Sequence, residues 1–403
     1  MKVVLINHSD TQGGASVVTR RLCEALRAEG VDARMLVVHK NTDLPWVVQA
    51  APEWRTKLPF LVEHLQIFTH NGFNRSDLFK ASIATVGLPL ASHPLVREAD
   101  AVMLNWVNQG MLSLDEIGKI AAAKPTVWTM PDMWNMTGIG HHAARCERYL
   151  MHCRQCHLLH AMASDNDLSA RTFDRKSAMY GRSGITFVAV SSWLAERARQ
   201  SALLRDQRVE VIHNAFPVEE YGRPASRTRA ELGLSEDRKL IVFCAARIDD
   251  PIKGLPDAVA GLNELAGSHG GDACAVFVGD CRSPQALSEL RLPYVQLGPV
   301  SDPTVIHDIM AHATAVLSTS SYESLPTTLI EGQAAGATPV GYVHDGRADI
   351  ITDGVSGYAI TDSTADALRR ALEQPISAEE LRKAASRFSC ATIARKYLDL
   401  LKQ

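Results

Sequence analysis

Val3-Val4-Leu5-Ile6, then Gly13-Gly14, then Val18, Leu22, Ala25 and Leu26, then Met35-Leu36-Val37-Val38 fill the first forty residues. The apolar positions form a continuous run, then fall on one face at helical spacing, then run together again. That sequence of periods is strand, glycine turn, amphipathic helix, strand, which opens a doubly wound parallel sheet. Ala101–Leu104 and Thr126–Thr129 read as further buried strands, and Phe187–Val190 as the last strand of this half. Residues 41–95 carry scattered aromatics and prolines without a clean period, so they are expected to form helices or an excursion loop.

The pattern then repeats. Residues 214–238, with Asn214, Pro217, Gly222 and Pro224, are polar and turn-rich and read as a linker crossed by the chain. Beyond it, Leu240–Ala245, Ala275–Val278, Val295–Leu297, Ala315–Ser318 and Pro339–Tyr342 are short apolar runs separated by helical patterns, giving a second parallel sheet. A chain of 403 residues exceeds one ordinary core, and two domains account for it. Ligands of such sheets bind outside the carboxyl ends of the strands, so the active site is expected in a cleft between the domains.

Composition narrows the class. Hydrophobic residues make up 46% and charged residues 22%, as in globular proteins, and a net charge of −3 offers no basic surface for nucleic acid. The apolar start is short and ends in Asn7-His8-Ser9-Asp10, a buried strand rather than a secretory signal. No run of eighteen apolar residues occurs, so membrane contact is expected to be peripheral and the chain cytoplasmic. Most of the eight cysteines sit in apolar segments and read as reduced core residues.

Ser318-Thr319-Ser320-Ser321-Tyr322-Glu323-Ser324-Leu325-Pro326-Thr327-Thr328-Leu329-Ile330-Glu331 carries the chemistry. It leads from a strand end through a turn into a helix, with Pro326 suited to the first helical turn. The amides around Ser324, Leu325 and Pro326 are expected to bind an anion, a diphosphate or a sugar hydroxyl. Glu331 suits a bidentate hold on ribose hydroxyls, and Glu323 a position nearer a transferred sugar. Either glutamate alone reads as a solvated carboxylate; their spacing of eight distinguishes them. The helix is expected to end at Gly336.

This segment resembles the E-x7-E signature of the family 4 glycosyltransferases of the GT-B fold. Arg247 after a strand and Lys253-Gly254 before a helix resemble the basic pair with which that family grips the donor diphosphate. Ala348-Asp349-Ile350-Ile351-Thr352-Asp353-Gly354-Val355-Ser356-Gly357-Tyr358 is similar to the family's PEII-x-DG-x-NG stretch, Gly13-Gly14 to its diphosphate-approach turn, and His213-Asn214 to its interdomain hinge. The resemblance implies two Rossmann-like domains facing across a cleft: an acceptor domain over 1–200, a nucleotide-sugar domain over 201–383, and a last helix, 384–403, crossing back. It further implies transfer of a sugar from a UDP- or GDP-sugar, with retention, to a lipid-linked saccharide acceptor at the inner face of a bacterial membrane. Arg247 and Lys253 would stabilise the departing diphosphate without a catalytic metal.

Thr129-Met130-Pro131-Asp132-Met133-Trp134 through Gly140-His141-His142, followed by Cys146, Cys153 and Cys156, resembles a subgroup carrying HDMWPFTGGCHY and three more cysteines. Many of its members are tied to capsule, colanic-acid-type or O-antigen assembly. The three thiols with His141 or His142 have the ligand character of a structural zinc site; three reduced, unliganded thiols are the other reading. Pro131 replaces the subgroup's histidine, which leaves Asp132 or His141 as candidates for acceptor contact. Two rivals stay open: a nucleotide-sugar epimerase of the same fold and a non-catalytic nucleotide-sugar-binding protein. An NAD-dependent oxidoreductase is disfavoured, because no G-x-G-x-x-G follows the first strand.

Overall fold

The computed structural model describes residues 1–75 and 77–402; Gln403, the end of the expected last segment, lies outside them. The chain divides into two compact units, one from Met1 to Ala215 joined by the segment from Ile393 on, the other Phe216–Thr392.

The first unit is built on a parallel sheet of β1 (Lys2–Ser9), β2 (Asp32–His39), β3 (Val47–Gln49), β4 (Ala101–Leu104), β5 (Thr126–Met130), β6 (Thr186–Ala189) and β7 (Val209–Val211). The spatial order is β3-β2-β1-β4-β5-β6-β7, with Val3 opposite Ala33 on one side and Ala101 on the other. Val3 through Ile6 and all of β4 and β5 are buried, which explains their unbroken apolar character. Helices α1 (Gly14–Ala28), α2 (Glu53–His70), α3 (Leu114–Ala123), α4 (Leu168–Ser183) and α5 (Ser192–Gln200) belong to this unit.

The second unit repeats the plan with β8 (Lys239–Arg247), β9 (Ala273–Asp280), β10 (Tyr294–Gly298), β11 (Ala315–Ser318), β12 (Thr338–Gly341) and β13 (Tyr358–Ala359) in the order β10-β9-β8-β11-β12-β13. Its helices are α6 (Leu255–His269), α7 (Pro303–His312), α8 (Thr327–Ala335), α9 (Thr364–Glu373) and α10 (Ala378–Ala385). Ile241, Phe243, Leu262, Phe277, Leu317, Val340 and Leu368 share its core. The final helix, α11 (Cys390–Leu401), starts in the second unit and is part of the first from Ile393 onward. There the buried Tyr397 hydroxyl lies 2.9 Å from Thr129 Oγ1, and Arg395 reaches Glu29 at 3.4 Å.

One expectation is corrected, and two stretches without a clear period are resolved. Phe187–Val190 does not end the first sheet, since β7 follows, so the first unit runs to Ala215 and not to about residue 200. The short edge strands β3 and β13 carry too few residues to register as periods. Within 41–95 the main element is α2, whose apolar residues lie on two opposite faces and blur the helical period.

In each sheet the strand order reverses once, between β1 and β4 and between β8 and β11. The carboxyl ends of those strand pairs are where doubly wound sheets hold ligands.

Candidate functional site

At the second unit's switch point, β8 delivers Arg247 as its last residue and β11 delivers the loop from Thr319 to Glu323. Asp250 caps a short turn, Pro251–Lys253, by accepting from Ile252 N at 3.2 Å. Gly254 follows with φ +67°, and a Cβ there would stand 2.1 Å from the Thr319 carbonyl oxygen. Only glycine allows this approach. The two loops are stitched together where they meet: Thr319 Oγ1 donates to Gly254 O at 2.8 Å, and Ser321 N to Ile252 O at 2.8 Å.

That stitching brings Lys253 to Glu323. Lys253 Nζ donates to Glu323 Oε1 at 2.7 Å, and Ser320 Oγ donates to the same oxygen at 2.8 Å. Arg247 is likewise compensated, with Nε 3.4 Å from Asp249 and Nη2 3.3 Å from Asp250. Asp249 also accepts from the Arg282 and Ser283 amides at 3.0 and 2.9 Å. Two cations stand at the switch point, each held by carboxylates that a more highly charged anion could displace.

Behind Glu323 lies a pair that sequence reasoning missed. Asp345 and Arg347 are both buried and joined by two hydrogen bonds, Nε to Oδ1 at 2.9 Å and Nη2 to Oδ2 at 2.7 Å. Asp345 Oδ2 accepts from Glu323 N at 2.6 Å, while Arg347 Nη1 donates to Ser318 O at 3.2 Å. The pair thus fixes both ends of the segment that carries Glu323. Gly346 between them passes so close that a Cβ would meet Ser324 O at 1.9 Å.

Helix α8 begins at Thr327, with Pro326 at its N-cap instead of in its first turn, and ends at Gly336 in the left-handed conformation. Leu325 and Pro326 are buried, Ser324 partly so, and Glu331 is half-buried in the middle of the helix. The Cys244 thiol is pushed up to about 12, first by burial and then by the Glu331 carboxylate, with Lys253 opposing. One side chain on β8 therefore senses both Glu331 and Lys253.

In the first unit, Gly13 (φ +83°) caps α1 without a side-chain hydrogen bond, leaving the helix amides open. Asp132, just past β5, has no free oxygen. Oδ2 accepts from His141 Nδ1 at 2.8 Å and from Trp106 Nε1 at 3.2 Å, and Oδ1 accepts from Trp134 N at 2.9 Å. Burial would raise its carboxyl, but His141 beside it holds it below the usual carboxylate range. His141 in turn places Nε2 3.3 Å from Ser82 Oγ. Ser82 is fully buried, so this chain of contacts fixes the loop and presents no nucleophile.

His8, His39 and Trp106, at the ends of β1, β2 and β4, form an aromatic cluster with ring centroids 5.1 and 5.5 Å from His8. Burial, and then His39, pull the His8 imidazole down to about 4. Their positions at or near strand ends were the signal available in the sequence.

Cys146, Cys153 and Cys156 line one small cavity with Gly138, His142 and His157. Burial pushes the Cys153 thiol to about 11 and the Cys156 thiol to about 12, and all three cysteines are free. The expected fourth zinc ligand is corrected: both His141 nitrogens are engaged by Asp132 and Ser82. Among the described residues, no group of three or more His, Cys, Asp or Glu is arranged to hold a metal ion. His141 therefore does not complete a four-ligand set with the three thiols.

Residues 226–389 match the family model described as Glycosyl transferases group 1. Over 155 residues, 37% of the chain, the sequence is 28% identical to glycogen synthase of Pseudomonas fluorescens, and the match takes in 31% of that protein's length. In structure the whole chain is similar to HepE of Anabaena, solved in complex with UDP and glucose, with TM-score 0.61, 16% identity and 99% of that chain covered. It is also similar over its whole length to sucrose-phosphate synthase of Thermosynechococcus elongatus, with TM-score 0.65, 15% identity and 98% of that chain covered. At these identities the likeness establishes the fold, two Rossmann-like parallel-sheet domains of the GT-B kind.

Proposed function

We propose, from the match of residues 226–389 to the model of the group 1 glycosyl transferases, that this protein is a glycosyltransferase that takes its sugar from a nucleotide-sugar donor. The observation that carries the reading is the convergence of Arg247, Lys253, Glu323 and Glu331 at the switch point of the second sheet. A UDP- or GDP-sugar enters there. Its diphosphate takes Lys253 from Glu323 and Arg247 from its two aspartates, the ribose hydroxyls bond to Glu331, and the amides of Ser324 and Leu325 face the sugar phosphate. Glu323, released from Lys253, orients the sugar.

Transfer then breaks the bond between the sugar's anomeric carbon and the diphosphate oxygen. The acceptor hydroxyl oxygen bonds to the same face of that carbon, and its proton passes to the departing diphosphate. The anomeric configuration is retained, as in the family 4 enzymes that the sequence resembles. Fixed cations lower this barrier by stabilising charge that develops on the leaving group, so the residues present require no catalytic metal.

The first unit is the acceptor side. Asp132, beside Pro131, which stands in place of the subgroup's histidine, holds Trp106 and His141. The acceptor is a saccharide on a lipid carrier, which places the work at a membrane surface. No helix among the described residues is long and apolar enough to cross a membrane.

Incubation with each of several nucleotide sugars, with and without a lipid-linked saccharide extract, tests the reading. Acceptor-dependent release of nucleoside diphosphate is expected. Isomerised sugar without acceptor identifies an epimerase, and no turnover of any donor despite binding identifies a binding protein.

A further inference from the structure

Helix α2 is packed on one side and bare on the other. Thr56, Glu63, His64 and Ile67 face inward: Glu63 Oε1 accepts from Ile83 N and Ala84 N at 2.6 and 3.0 Å, and Ile67 joins Ala81, Ile83, Ile139 and Leu159 in a core. Trp54, Leu58, Leu61 and Leu65 point the other way, 72, 65, 60 and 60% exposed. Their spacing of four, three and four places all four within about 60° of arc along some 16 Å of helix. A surface helix ordinarily turns polar residues outward, and a coherent apolar stripe marks a contact surface.

The patch extends beyond the helix. Phe73, 68% exposed, packs edge-on against Phe68 at 5.4 Å, just past the end of the helix. Its charges are ordered too. Arg55 stands 5.5 Å from the Trp54 ring and Arg75 5.9 Å from the Phe68 ring, one at each end of the stripe. The carboxylates nearby are compensated or buried: Glu53 by Lys57 at 2.8 Å, Asp77 by Lys80 at 2.9 Å, and Glu63 inside. What remains is an apolar strip tipped by cations in a chain whose net charge is −3.

We infer that this face of α2 docks onto an anionic lipid bilayer, lying in the plane of the membrane with Trp54, Leu58, Leu61 and Leu65 in the headgroup–acyl boundary. Arginine and tryptophan keep a polar tip at headgroup level while their stems and rings sink, which suits both ends of the stripe. A second copy of the chain would bring like charges together across a twofold axis, whereas phosphate headgroups complement them. The inference rests on the proposed lipid-linked acceptor and names the surface that reaches it. It leaves the donor residues untouched, so the two can fail separately.

Flotation of the full-length protein with vesicles tests it, using phosphatidylethanolamine with phosphatidylglycerol, or phosphatidylcholine alone. The wild type is expected to float with the anionic vesicles. Leu58→Glu with Leu61→Glu, both at exposed positions, should lower partitioning at least about a hundredfold. Arg55→Gln with Arg75→Gln should lower it roughly tenfold for anionic vesicles only. An unchanged melting temperature and unchanged stabilisation by donor confirm that both variants are folded. A wild type that stays behind with both vesicles, a Leu58/Leu61 variant that floats equally well, or equal binding to neutral and anionic vesicles overturns the assignment. So does a dimer in light scattering that the Leu58/Leu61 variant dissolves, which would make a second copy the occupant.

Discussion

Lys253 and Glu323 owe their pairing to a backbone contact, the close approach of Gly254 to Thr319, and their 2.7 Å bond is the one that the proposed donor diphosphate would displace. The residues at strand ends and helix starts were legible in the sequence, because βα loops follow fixed rules of placement. Asp345 and Arg347 were not, since Asp345 acts on a backbone amide 22 residues earlier that no spacing rule anticipates. Removing one partner leaves the other charged and buried, so Arg347→Met should destabilise the protein by about 3–5 kcal/mol in denaturant titration. Asp345→Asn should also weaken donor binding, through displacement of Glu323. His8 adds a pH dependence with a defined sign. Its folded value, about 4, lies below the ordinary 6.5, so the imidazole stays neutral in the fold while the unfolded chain takes up a proton. The contribution is full above pH 6.5 and is lost as pH falls to 4, up to about 3 kcal/mol. His39 and Trp106 face the ring, and a His8→Asn variant should flatten this part of the stability–pH profile.

Among elements, the buried strands were the most readable, because a parallel strand covered on both faces is apolar throughout. The short edges β3, β7 and β13 escaped, being two or three residues long, with β3 and β7 also partly exposed. Helix α2 escaped for the opposite reason, as apolar residues on both faces erase the period that identifies a helix. The cysteine loop shows how far a ligand pattern reaches: three thiols do share a cavity, but His141 is taken by Asp132, a contact set by the turn after β5. Helix α11 begins at Cys390, later than the expected residue 384, and its anchor in the first unit is Tyr397. Tyr397→Phe should cost about 1–3 kcal/mol by leaving Thr129 Oγ1 unpaired, and Tyr397→Ala about 3–5 kcal/mol by adding a cavity. Differential scanning calorimetry would register both as a lower melting temperature of the first unit.

At the scale of the whole molecule, two sheets of the same topology each present a switch point, and the chemistry they carry differs. The second unit's bears two cations and two glutamates; the first unit's bears imidazoles, an indole and an engaged aspartate. That asymmetry matches a protein whose second half holds a charged donor and whose first half handles a neutral hydroxyl. The donor claim is central, and thermal shift against a panel of UDP-, GDP-, dTDP- and ADP-sugars tests it most directly. At least one should raise the melting temperature of the wild type, with the shift lost in Lys253→Ala and Glu331→Ala. If no nucleotide sugar stabilises the protein, or if Glu331→Ala is stabilised as strongly as the wild type, the donor site is not where Arg247, Lys253, Glu323 and Glu331 meet.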